Sequence, residues 1–142
     1  MANVNPYLTF DGNCEAVFNH YKSVIGGDFA ALVRYKDMPG PGTDDPAEAN
    51  MVMHVSLPIG PHTMLMGGDR PKSFGPATFG NNFSLAIGAD SREHADQLYK
   101  GLAGGGKEDM PMGDAPWGDY FGMLTDKFGI QWMVVQGPQQ NK

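Results

Sequence analysis

Few side chains in this sequence are placed to do chemistry. His54 sits in the apolar run Met51-Val52-Met53-His54-Val55. That run reads as a strand, so its imidazole is a candidate general base or hydrogen-bond donor in a cavity. The same context suits a half-buried strand histidine bonded to a neighbour. His20 and His94 fall on predicted helices as surface residues, and His62 starts a strand beside a turn. Cys14 lies in the first turn of a helix, where the dipole can lower a thiol pKa. A buried cysteine in that turn is the reading its position favours. One cysteine leaves no internal disulfide and no cysteine zinc site. No Ser/His/Asp or Cys/His set is visible. Ten methionines are present, and Met64, Met66, Met110, Met112, Met123 and Met133 fall on or beside predicted strands. Methionine fills irregular apolar space and adapts to ligands of varied shape. Trp117 and Phe121 flank a glycine-containing turn, as a pocket mouth or as interface packing.

Charge patterning adds exclusions. The chain has 142 residues and a net charge of −6, which disfavours phosphate backbones and anionic lipid. Nucleic-acid and membrane partners are therefore not expected. Asp37, Asp44, Asp45 and Glu48 read as solvated acid in a loop. Asp69-Arg70 and Lys72 read as a linker ion pair, and neither group reads as a phosphate cradle. No apolar run approaches the roughly 18 residues of a spanning helix. The N-terminal MANVNPYLTF lacks the basic and apolar regions of a signal peptide. A reduced, cytoplasmic setting is the expectation.

The elements that would position these residues are short. Twenty glycines and 11 prolines make about a fifth of the chain turn-forming, which argues against a helical bundle. Val4 to Phe10 reads as a strand ending at Asp11-Gly12-Asn13. Asn13 is the expected N-cap of a helix over Cys14–Ile25, stopped by Gly26-Gly27. Phe29 to Lys36 reads as a strand, Pro39 to Glu48 as a loop, and Met51–Leu57 and His62–Met66 as a hairpin. A linker over Gly67 to Asn81 follows. Phe83–Ile87 is the next strand, then a helix from its cap Ser91 to Ala103, stopped by Gly104-Gly105-Gly106. Lys107–Met112 is a weak strand broken by Pro111. Tyr120–Thr125 and Ile130–Gln136 form a hairpin. Each half reads βαβββ: the expectation is one domain over 1–142, with module 1 about 1–68 and module 2 about 80–137. Tyr21-Lys22 recurs as Tyr99-Lys100, and Gly26-Gly27 as Gly104-Gly105.

Tandem βαβββ modules resemble the vicinal oxygen chelate superfamily of glyoxalases, bleomycin-resistance proteins and extradiol dioxygenases. Several stretches resemble its PhnB-like, or demethylubiquinone-methyltransferase-like, branch. They include Pro6-Tyr7-Leu8-Thr9-Phe10, Asp37-Met38-Pro39, and His54 followed by Met64-Leu65-Met66. The most specific is Trp117-Gly118-Asp119-Tyr120-Phe121-Gly122 with Asp126-Lys127-Phe128-Gly129-Ile130-Gln131-Trp132-Met133. The resemblance implies an α+β fold of curved mixed sheets around a central cavity. It places the superfamily's four metal-ligand positions at Pro6, Met64, Phe83 and Met133. Those residues do not ligate the family's divalent ions, so no metal and no other cofactor is expected. Nothing resembles the glycine-rich start of a methyltransferase Rossmann fold, so S-adenosylmethionine is not expected either.

The leading functional expectation is a small-molecule binding protein with an apolar pocket. The alternatives are an enzyme of the same superfamily using His54 or an off-site metal, and a structural or interaction dimer whose pocket is self-filled. Strand parity puts Leu8, Phe10, Met64, Met66, Phe83, Leu85, Gln131 and Met133 on the ligand face, joined by His54, Trp117 and Phe121. Tyr7, Leu65 and Trp132 should then face the helices. The resemblance also implies a homodimer, with strands or modules exchanged.

Overall fold

A computed structural model of the chain describes residues 2–38 and 46–137. Pro39, Asp44 and Asp45 of the expected acidic loop, and the tail beyond Gly137, lie outside them. The chain divides into two compact units between Thr78 and Phe79.

The first unit runs β1 (Tyr7–Phe10), α1 (Cys14–Ile25), β2 (Ala31–Arg34), α2 (Pro46–Ala49), β3 (Val52–Ile59) and β4 (Thr63–Asp69). The second runs β5 (Leu85–Gly88), α3 (Arg92–Ala103), β6 (Lys107–Asp114), β7 (Tyr120–Thr125) and β8 (Gln131–Gln136). Their sheets have the same plan, β1-β4-β3-β2 and β5-β8-β7-β6, each with one parallel pair at an edge. The fold is α+β with two four-stranded mixed sheets, as the βαβββ rhythm requires.

Each sheet buries one face under one helix. In the first unit Leu8, Phe10, Val55, Leu57 and Leu65 are buried with Val17, Phe18 and Tyr21 of α1. Phe10 and Phe18 meet edge to face, their ring centroids 6.5 Å apart. Gly67 lies directly beneath Phe18: a Cβ there would stand 2.7 Å from the ring. In the second unit Ile87, Leu124, Trp132 and Val134 are buried with Ala95, Leu98, Tyr99 and Leu102 of α3. Gly122 serves Tyr99 as Gly67 serves Phe18, since its Cβ would stand 2.8 Å from that ring.

Several elements differ from the sequence reading. Asn13 makes no side-chain cap; the buried carboxylate of Asp69, 55 residues away from Cys14, does that work. Its Oδ1 accepts from Gly12 N and Cys14 N, and its Oδ2 from Val52 N, at 2.9–3.0 Å. Asp69 therefore forms no linker ion pair with Arg70. Gly67 to Asp69 belong to β4 instead of the linker. Pro46 to Ala49 are helical instead of loop. The strand β6 passes through Pro111 because it is a sheet edge, and its register shifts around Met110.

An Asp69→Ala substitution strands two buried amide donors, at Cys14 and Val52, together with the Gly12 amide. It is expected to cost about 3 kcal/mol, read as a lower urea midpoint. Asp69→Asn retains one acceptor oxygen and should lose less.

Candidate functional site

The sheet faces turned away from the helices carry most of the predicted site residues. Register fixes the first face. Tyr7 pairs with Met66, which pairs with Ser56 on its other side, and Pro58 pairs with Met64. Alternation then puts His54, Ser56, Met64 and Met66 on the face opposite α1, together with Tyr7 and Thr9. The Tyr7 ring stacks on the His54 imidazole, with centroids 5.8 Å apart and planes 30° apart. Its hydroxyl donates to Met53 O at 3.3 Å. Gly68 makes room for it, because a Cβ there would lie 2.9 Å from the Tyr7 Oη. Burial is the main cause that raises the Tyr7 pKa, so the phenol stays neutral. His54 is half-buried and makes no hydrogen bond to any described residue.

The second face follows the same rule. Met123 pairs with Met133, Phe121 with Val135, Thr125 with Gln131, and Ala86 with Met133. Trp117, on the turn before β7, lies 5.8 Å from Phe121 by ring centroids. The indole Nε1 donates to Asp119 Oδ2 at 2.8 Å, which orients a ring that is 67% exposed.

Four expected ligand-face residues are elsewhere. Leu8 and Phe10 are buried on the α1 side, and Leu85 shares a face with Trp132 on the α3 side. Tyr7 takes the place expected for Leu8. The parity was ambiguous because Tyr7-Leu8-Thr9-Phe10 offers apolar surface to both faces. Phe83 precedes β5 and is 61% exposed. Met64, Met66, Gln131, Met133 and Phe121 lie on the helix-free faces, and Leu65 and Trp132 face the helices.

The metal-ligand positions fail on chemistry. Met64 and Met133 present thioethers, while Pro6 and Phe83 lie outside the strands and carry no donor atom. Among the described residues no three His, Cys, Asp or Glu side chains gather as a metal site. The residues present therefore do not fit the superfamily's divalent ion.

Cys14 is buried, and its thiol pKa is raised by burial first and then by the charges of Asp69 and Glu15. The carboxylate that caps the helix thus cancels the activation a helix start would provide. Glu15 itself is held below the usual carboxylate range by its hydrogen bond from Arg34, a two-point pair at 2.8 and 3.0 Å.

Paired βαβββ units of this sheet order, with one helix per sheet, are the glyoxalase-like class. The chain belongs to the family described as 3-demethylubiquinone-9 3-methyltransferase, whose profile matches residues 2–135. Protein PA1353 from Pseudomonas aeruginosa is 34% identical with a TM-score of 0.86, over 98% of this chain and 100% of that one. A putative 3-demethylubiquinone-9 3-methyltransferase, PhnB protein, from Bacillus cereus is 27% identical, TM-score 0.76, over 96% and 100%. A glyoxalase/bleomycin resistance protein from Albidiferax ferrireducens T118 shares the fold, at 22% identity and TM-score 0.61 over 93% and 97%. These neighbours are consistent with the vicinal oxygen chelate superfamily. The two strand-to-helix turns here, Asp11-Gly12-Asn13 and Ala89-Asp90-Ser91, lack the glycine run of a dinucleotide-type site. They do not fit the nucleotide cofactor that a methyltransferase name implies.

Cys14 should resist Ellman's reagent in the native protein at pH 8. Labelling at least about tenfold slower than in urea is the expected result. Equal rates would show an accessible thiolate.

Proposed function

We propose that the protein binds a small, largely apolar molecule on the helix-free sheet face of the first unit, and that His54 orients it. The carrying observation is the His54 imidazole, half-buried against Tyr7 on the face that carries Met64 and Met66, and without a hydrogen-bond partner among the described residues. A polar group in such a setting costs free energy unless something bonds to it. One hydrogen-bonding group in an apolar cleft is a common means of orienting a ligand. Met64 and Met66, on the same face of the first sheet, supply adaptable walls. Ligand binding is favoured over general-base catalysis because no described carboxylate orients the imidazole. We also propose a homodimer, since Tyr7, Phe79, Phe83 and Trp117 are large and exposed in the single chain.

Native mass spectrometry of the purified protein tests both. The expected spectrum shows a dimer retaining added flat aromatic fragments that carry one hydrogen-bonding group. His54→Ala should weaken fragment binding about tenfold, near 1.4 kcal/mol, without changing subunit number. A monomer that retains no fragment would refute the reading.

A further inference from the structure

The first unit holds a second candidate site, just past the ends of β1 and β4. A cleft of about 340 Å³ is lined by Asp11, Met51, Arg70, Pro71, Lys72 and Pro76, with Gly75 between them. Three segments of chain build it, and hydrogen bonds lock them. Both oxygens of Asp11 accept from Ala77 N, at 2.9 and 3.1 Å. The Lys72 amide donates to the buried Glu48 carboxylate at 2.7 Å. The Arg70 amide donates to Phe10 O at 2.7 Å. The walls are therefore set before any ligand arrives.

Arg70 is the unusual member. The chain has three arginines. Arg34 pairs with Glu15 and Arg92 with Asp114. Arg70 pairs with no carboxylate among the described residues. Its Nε donates to Gly75 O at 2.9 Å and its Nη2 to Phe74 O at 2.5 Å, and the guanidinium lies 5.9 Å from the Phe74 ring centroid. Two carbonyl bonds fix the fork while leaving its charge uncompensated and three of its five N–H donors unspent. A half-buried guanidinium held in this way is preorganised for a planar anion, with little side-chain entropy left to lose. Of the charged side chains in the lining, Arg70 and Lys72 are basic and Asp11 is acidic. Met51, Pro71 and Pro76 provide an apolar bed beside the cation.

We propose that this cleft is a receptor for a small organic carboxylate, with Arg70 taking the carboxylate in a two-point contact and Met51, Pro71 and Pro76 taking the apolar body. The site does not depend on the sheet faces or on His54.

Benzoate is the probe, and benzamide its neutral isostere. Backbone-amide NMR titration of the full chain at moderate salt should show benzoate shifting the amides of Arg70, Lys72, Phe74, Gly75, Ala77 and Gly12. Benzamide should bind at least about tenfold more weakly. Arg70→Gln should lose benzoate affinity by a similar factor, and Arg70→Lys should recover only part of it. Should loss of the carbonyl bonds unfold the Arg70 variants, Met51→Trp fills the cleft with Arg70 intact and should abolish binding. His54→Ala should leave benzoate binding here unchanged. Equal binding of benzamide, undiminished binding to a folded Arg70→Gln or Met51→Trp protein, or no benzoate shift in the native chain would overturn the proposal.

Discussion

Each sheet in this protein packs one face against one twelve-residue helix, and a four-stranded sheet has two faces. The helix excludes water from one of them, and a strand's two-residue period then assigns every side chain to the helix or away from it. Phe10, Leu65 and Val55 go under α1, so Tyr7, Met66 and His54 must go to the opposite side. Leu124 and Trp132 go under α3, so Met123 and Met133 cannot. The helix-free faces are thus what remains after the cores are filled. Their apolar character follows from a chain that spends methionine and aromatic side chains on both sides of its strands.

Buried carboxylates hold this arrangement in register. Asp69 joins the start of α1 to the ends of β3 and β4 through three backbone amides. Asp126 does a related job in the second unit, accepting from Phe128 N, Ile130 N and the Trp132 indole at 2.9–3.0 Å. A charged group buried in this way is tolerated because its oxygens are bonded to fixed donors. Burial, and after it the Asp69 charge, disfavours the Cys14 thiolate, which opposes the activation that a helix start would give. The residue that follows Asp69 turns outward and supplies the cation of the separate cleft.

Much of the architecture was legible in the chain. Gly26-Gly27 and Gly104-Gly105 end helices whose observed limits, Cys14–Ile25 and Arg92–Ala103, match the reading closely. Ser91 caps as expected, with His94 N donating to its Oγ at 3.0 Å. The face of β1 was not legible, because Tyr7-Leu8-Thr9-Phe10 has no polar residue strong enough to mark the solvent side. The face of β8 was legible, because Trp132 and Val134 alternate with Gln131. The cap from Asp69 and the cleft around Arg70 were hidden for a different reason. Both bring together residues tens of positions apart, and no local spacing encodes that.

Met64 and Met66 are the methionines on the sheet face that carries His54. Methionine-methyl NMR reads those side chains individually. Titration with a neutral, flat aromatic fragment should shift the methyl signals of these two residues and leave Met51, in the carboxylate cleft, unmoved. Shifts confined to Met51, or to Met112 beneath α3, would contradict the account.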